Sequence, residues 1–413
     1  MDHIILIILS GLVIFSYLFD LFAKKTKIPS VLLLLFLGIG LHYATEYFGI
    51  KTFNLKAILP TLGTIGLILI VLEGALELKF ERSKLKIIIR AFFAALFILL
   101  ITTFSIAYLL YYLSDHHPFN ICFLDAIPFS IISSAIAIPS VANILKEKRE
   151  FIIYESSFSD IFGIMLFNFT LGNDNFSANS FLHFGLDTLL VVVVSGISCF
   201  ILLYILGRLS HNVKFFLIIS ILIFVYALSK EFHLSSLVIV LAFGIFMANA
   251  ERINYKWFKR IFIYEKLKSD LIQLHQLSAE SAFLLRTFFF IIFGFTINMQ
   301  SMLEEDVFIY TGYILAVIYA VRFVYLKFFT RSELIPELFI TPRGLISILL
   351  FYSIPDDKRL PVLAGGVLFQ VIIVTTVLMT LGLLRAKSEK PEAAIIGSGE
   401  DLSYYDEHSD MNY

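Results

Sequence analysis

Charge is what this sequence has least of. Only 16% of its 413 residues are Asp, Glu, Lys or Arg, where a soluble globular domain carries about a quarter. A chain that is 59% hydrophobic and 15% aromatic, with a mean hydropathy of +0.88, has too little polar surface to solvate a compact body. That excludes a soluble domain and leaves the membrane class. Cysteine is nearly absent: Cys122 and Cys199 both fall in apolar segments, without metal-ligand spacing. They are expected as small packed side chains, which excludes a disulfide framework or a zinc site. The first residues, MDHIILIILSGLVIFSYLFDLF, lack a basic run and a small-residue cleavage site, so they are expected to be a retained span and not a signal peptide. No His/Asp/Glu metal cluster and no nucleophile–base pair stands out, so neither an enzyme nor a cofactor is expected. The net charge of −1 says little by its sum, and no nucleic-acid partner is expected.

What is there is long apolar runs. A spanning helix needs about 20 mainly apolar residues, and thirteen windows qualify: 4–22, 29–48, 57–78, 87–113, 123–145, 151–171, 184–209, 213–229, 233–250, 279–299, 306–328, 335–354 and 361–386. Backbone groups cannot stay unpaired in lipid, so runs of this length must be helical. The expected fold is therefore all-α and polytopic, with about thirteen transmembrane helices over residues 1–386. With the N-terminus outside, the inward loops hold 23 of the 32 Lys and Arg residues and the outward loops five. This bias predicts an N-out, C-in topology in a bacterial-type inner (cytoplasmic) membrane. Residues 251–278 mix bases with Trp257, Phe258, Ile261 and Leu271, the pattern of an interfacial helix. The acidic end, 387–413, is expected to be a disordered cytoplasmic tail.

Within spans this apolar, each charge needs a reason, because an ionised side chain at a helix centre costs about 2.5–3.5 kcal/mol on insertion scales. Counting about 1.5 Å per residue from the cytoplasmic edge, Asp160 lies about 13 Å deep and Arg343 about 12 Å, near the middle of a core about 30 Å thick. Glu155, Arg322, Glu73 and Arg286 lie nearer the cytoplasm, at about 6–10 Å, with Arg286 a candidate gating charge. In the sixth window, YESSFSDIFGIMLF, the residues Glu155, Ser156, Ser159, Asp160 and Gly163 share an arc of about 140° on one helix face. The fifth window carries Pro128, Pro139 and the small run Ser133–Ser134–Ala135; the twelfth carries Pro342–Arg343–Gly344 at its middle. Proline removes a backbone donor and frees a carbonyl, and broken helices at matching positions of two halves point to a transporter's binding site. Windows five and twelve are seven apart, as two inverted six-helix repeats would place them.

At these residues the chain resembles the monovalent cation:proton antiporter superfamily, in particular its sodium/proton exchanger (NhaP-like) branch. LGTIGLILIVLEGALEL looks like the family's third helix, which ends in Glu-Gly-Gly-Leu. ESSFSD resembles Glu-Ser-Leu-Leu-Asn-Asp, and SSAIAIPSV resembles Ser-Ala-Thr-Asp-Pro-Val. RTFFFIIFGFTIN, AVRFVYL and TPRGLISILL resemble the tenth to twelfth helices. The resemblance places the ion- and proton-carrying carboxylate on Asp160. It adds Ser156, Ser159, Glu73 and the carbonyls near Ala137 and Ile138 as candidate ligands of a monovalent cation. Two positions depart from the pattern: Ser159 stands where the family has Asn, and Ala137–Ile138 where it has Thr-Asp. The resemblance further implies a salt bridge of Glu155 with Arg322, Arg343 being an alternative partner. It also implies a moving core of helices 4–6 and 11–13 and a scaffold of helices 1–3 and 8–10 that forms a homodimer. The expected activity is alternating-access exchange of Na⁺, or of K⁺ or Li⁺, for H⁺. Ser159 cannot titrate beside Asp160, so exchange is expected to be electroneutral. The other reading, which Ile138 in place of an aspartate favours, is a cation channel or an ion or pH sensor on the same scaffold.

Overall fold

The computed structural model describes residues 2–386 except 27, 50–54, 79, 81, 115–116, 142–143, 174–177, 209–213, 232–235, 254, 257, 259–261, 263–266, 298, 331–333 and 364. The expected tail, 387–413, lies outside the described residues. Among the described residues the chain is predominantly helical and contains no β-strand. The principal helices are α1 (Asp2–Thr26), α2 (Ser30–Tyr47), α3 (Leu55–Glu77), α4 (Leu85–Leu113), α5 (Phe119–Ser130), α6 (Ser134–Ser140) and α7 (Lys146–Gly172). They continue with α8 (Ala178–Arg208), α9 (Lys214–Glu231), α10 (Ser236–Asn249), α11 (Leu267–Thr296), α12 (Glu305–Tyr325), α13 (Leu345–Ser353) and α14 (Gly365–Arg385). Seven segments among the described residues are long and apolar enough to cross a bilayer by themselves, including the broken pair Phe119–Ser140.

These helices are apolar on all sides, which is what distinguishes them from helices of soluble proteins. On α4 the inward stripe Ile88, Ala91, Ala95, Ile98, Thr102 and Ile106 is buried, while Phe93, Phe97, Ile101, Phe104 and Tyr108 on the other faces remain exposed. Helices α1, α2, α3, α8, α9, α10 and α11 pack largely on one another, and α4–α7 with α12–α14 form a second packed set. In the first set α2 and α11 approach backbone to backbone: a Cβ on Gly38 would strike the Ile291 carbonyl, and one on Gly294 the Leu35 carbonyl. Small residues permit such contacts where no hydrophobic force drives helices together in lipid.

Two elements differ from their sequence-based reading. The segment 251–278 was expected to lie at the interface as one helix. Its second half, from Leu267, instead runs without interruption into the tenth span, because no proline and no glycine before Gly294 breaks LKSDLIQLHQLSAESAFLLRTFFFIIFGFT. The twelfth window, 335–354, is helical only over Leu345–Ser353. Its first half is turn and extended chain through Pro342–Arg343–Gly344.

Candidate functional site

The site is built where two helices stop being helices. Between α5 and α6 the backbone is extended at Ile131 (φ −77°, ψ 131°) and Ser133 (φ −75°, ψ 115°). The other break runs through residues 340–344. The two unwound segments cross and touch: the Ser133 N–H donates to the Pro342 carbonyl at 2.8 Å. Gly344 makes this approach possible, since a Cβ there would meet Ser133 Oγ at 2.5 Å and Ile136 Cδ1 at 2.8 Å. Unwinding within a membrane leaves backbone groups without partners, and buried side chains from α7 and the second break supply them.

Arg343 serves the carbonyl side. Its Nε donates to the Phe129 carbonyl at 2.7 Å, its Nη1 to Thr341 at 2.6 Å and its Nη2 to Ser130 at 3.4 Å. Phe129 and Ser130 close α5, whose last carbonyls have no helical partner, and a cation at that end opposes the helix dipole. The amide side is served from α7. Ser159 Oγ accepts the Ile132 N–H at 2.9 Å, and Asp160 Oδ2 accepts the Ser134 N–H at 3.2 Å. Asp160 is 7% exposed, and its Oδ1 has no hydrogen-bond partner.

Beside Asp160 lies a small cavity of about 20 Å³, bordered by Ser134, Ser157, Gly74, Ile164, Leu241 and Ile346 among others. Ile70, Gly74 and Ser134 also border a larger cavity of about 180 Å³, which Glu73, Glu77, Arg286, Ala135, Ile138 and Pro139 complete. Arg286 Nη1 donates to the Ala135 carbonyl at 3.1 Å. The two cavities share Ile70, Gly74 and Ser134 as walls, with two carboxylates one turn apart on α3 at the larger and the Asp160 carboxylate at the smaller.

Glu155 is elsewhere. It forms a two-pronged ion pair with Arg322, Nη1 to Oε1 at 2.8 Å and Nη2 to Oε2 at 2.9 Å, both side chains being 1% exposed. Arg322 Nε also donates to the Glu337 carbonyl at 2.8 Å. Arg343, the other partner considered, spends its donors on carbonyls.

The sequence-derived ligands are thus only partly brought together. Asp160, Glu73 and Ile138 border the two cavities, with Arg286 beside them. Ser156 Oγ turns back to the Ile152 and Ile153 carbonyls of its own helix, and Ser159 is occupied by Ile132. Ala137 and Ile138 lie inside α6, where their carbonyls accept the Val141 N–H. The unwound stretch is Ile131–Ser133, which ends in the first serine of the Ser133–Ser134–Ala135 run, while Ala137–Ile138–Pro139 is helical. Sequence reasoning named Ser134 only within the small run of the broken fifth window and missed Ser157 and Glu77; Glu77 left a signal, as the second carboxylate four residues after Glu73 in LEGALEL. It also missed Asp125, fully buried on α5, whose Oδ2 accepts the Leu360 N–H at 2.7 Å.

No curated relative matches the sequence. Among solved structures, the sodium proton antiporter MjNhaP1 from Methanocaldococcus jannaschii at pH 8 superposes with a TM-score of 0.64 at 20% identity, over 93% of this chain and 96% of that one. An electron-microscopy structure of the same antiporter gives a TM-score of 0.65 at 20% identity, over 94% and 100%. These likenesses establish a shared fold. The transmembrane sodium/hydrogen exchanger family matches residues 10–385, so the chain belongs to the sodium/hydrogen exchanger family of the monovalent cation:proton antiporter superfamily.

Proposed function

We propose that this multi-pass membrane protein exchanges one Na⁺ for one H⁺ by alternating access at Asp160, with Li⁺ and K⁺ as weaker substrates. The observation that carries the reading is the state of that carboxylate. It is buried at the crossing of two broken helices, one oxygen is held by the Ser134 amide, the other has no hydrogen-bond partner, and the residue borders the small cavity. A carboxylate with one free oxygen in a water-poor site can hold a proton or a hard cation, and the two then exclude each other. Binding Na⁺ releases the proton, and rebinding the proton expels Na⁺.

Electroneutrality follows from the neighbour. Ser159 cannot titrate and is committed to the Ile132 amide, so one carboxylate carries either one Na⁺ or one H⁺. Glu73 and Glu77 line the way in and raise the local cation concentration. The distribution of Lys and Arg supports an N-out, C-in arrangement in the inner membrane, with the larger cavity on the cytoplasmic side.

The two sets of packed helices support a division of labour. The set α4–α7 with α12–α14 moves as a core, two inverted six-helix repeats within about thirteen spans containing its two crossing segments. Helices α1–α3 with α9–α11 form the scaffold and the homodimer contact. Reconstitution in liposomes with an entrapped pH dye tests the activity: pulses of Na⁺, Li⁺ and K⁺ should each drive proton movement, strongest with Na⁺. Cation uptake without proton movement would favour the channel reading, and the absence of both would favour a sensor.

A further inference from the structure

We infer that the cation is selected at the 20 Å³ cavity beside Asp160 by the hydroxyls of Ser157 and Ser134, and not by those of Ser156 and Ser159. The inference deepens the reading of Asp160 as carrier and rests on it. Ser157 stands one turn before Asp160 on α7, so both side chains face the same way. It is 4% exposed, and its Oγ makes no hydrogen bond. A buried helical serine ordinarily returns its hydroxyl to a carbonyl three or four residues back. Ser156 does so, while Ser157 borders the cavity that Asp160 borders. An orphaned buried hydroxyl is costly to keep, and Asp160, whose Oδ1 is likewise without a partner, borders the same cavity.

Ser134 is the third oxygen. Its N–H holds Asp160 Oδ2 at 3.2 Å, and it borders both cavities. It is the residue that a cation passes between the Glu73–Glu77 cavity and Asp160. Space for one water-sized particle requires about 10–15 Å³, so a cavity of about 20 Å³ accepts one bare cation and sheds its hydration shell. Ile164, Leu241 and Ile346 close the other sides, which leaves Asp160, Ser157 and Ser134 to replace the lost waters. A compact, hard-oxygen cage of this kind favours Na⁺ and Li⁺ over the larger K⁺.

The test uses the full chain in liposomes and reads Na⁺-, Li⁺- and K⁺-driven proton movement, together with the Na⁺-dependent rise in melting temperature in detergent. Ser157→Ala should raise the apparent KM for Na⁺ about tenfold with the maximal rate kept within about twofold, the pattern of a lost ligand and an intact carrier. It should abolish protection at Na⁺ concentrations that stabilise the native protein, and the Na⁺-over-K⁺ preference should fall. Ser134→Ala should shift KM in the same direction. Ser157→Cys keeps the volume but replaces a hard oxygen with sulfur; it should weaken Na⁺ as the alanine does, and it decides the matter if the alanine variant does not fold. Native KM and native protection in both Ser157 variants, or a KM shift confined to Ser156→Ala, would overturn the inference. If Asp160→Asn removes exchange and protection while the Ser157 variants behave as native, only the hydroxyl cage is wrong. If Asp160→Asn still exchanges, the carrier assignment falls and the cage with it.

Discussion

Removing Glu155 should destabilise the protein more than removing Arg322, and removing both should cost less than the two losses together. The pair is fully desolvated and joined by two charge-assisted hydrogen bonds of 2.8 and 2.9 Å, the geometry in which Arg–carboxylate pairs are strongest. Glu155→Ala strands a guanidinium that keeps only its Nε bond to the Glu337 carbonyl and cannot shed its charge. Breaking a buried pair in this way costs about 3–5 kcal/mol. Arg322→Ala leaves a carboxyl that can take up a proton, so its cost should be nearer the 1–3 kcal/mol of an unsatisfied buried group. The double variant buries no charge at all, and the coupling between the sites should be about 2–3 kcal/mol. Melting temperatures of the four proteins in one detergent give the cycle, and liposome assays on the same four give the cation dependence. Because Glu155 borders neither cavity, the apparent KM for Na⁺ should stay within about twofold. Additive losses within about 0.5 kcal/mol, or a KM shift without a stability loss, would refute the argument and make Glu155 a ligand.

Three further outcomes follow from the crossing and its approach. Gly344→Ala drives a Cβ to 2.5 Å from Ser133 Oγ, and should lower exchange at least about tenfold while membrane insertion persists, checked by flux on purified protein. Arg343→Lys cannot reach the Phe129, Thr341 and Ser130 carbonyls together, because an ammonium lacks the planar fork; the melting temperature should fall, and an unchanged value would show that the carbonyls need no such cap. Exchange should be indifferent to an imposed potassium-diffusion potential, since one charge moves each way; a rate that tracks voltage would contradict the single-carboxylate stoichiometry.

Much of this arrangement was legible in the sequence, for reasons that differ from place to place. Glu155 and Arg322 could be matched through the family resemblance and their similar depth, and the break at Pro342–Arg343–Gly344 because proline and glycine cannot continue a helix there. The interruption of the fifth window was legible from Pro128, Pro139 and the run Ser133–Ser134–Ala135; the chain unwinds at Ile131–Ser133, while Pro139 sits within α6, and Ser159 and Asp160 supply partners for the freed amides. Those partners are a tertiary fact that local sequence does not carry. Ser157 was hidden for another reason: it falls outside the arc of about 140°, and only the packing of neighbouring helices shows that it borders the cavity. Arg343, which the resemblance offers as an alternative partner of the carboxylate, instead serves the orphaned carbonyls of α5, which exist only once the helix has ended.

The claim at the centre is that a single carboxylate, Asp160, carries the cation and the proton in turn. Asp160→Asn keeps the shape and the contact with the Ser134 amide, but it can neither hold a proton nor neutralise Na⁺. Measured side by side with the native protein in liposomes, tracer Na⁺ uptake driven by an imposed pH gradient should disappear in this variant, and so should proton movement driven by an imposed Na⁺ gradient. The detergent-purified protein should remain folded and inserted. Na⁺ uptake that persists and remains coupled to the pH gradient in Asp160→Asn would contradict the account.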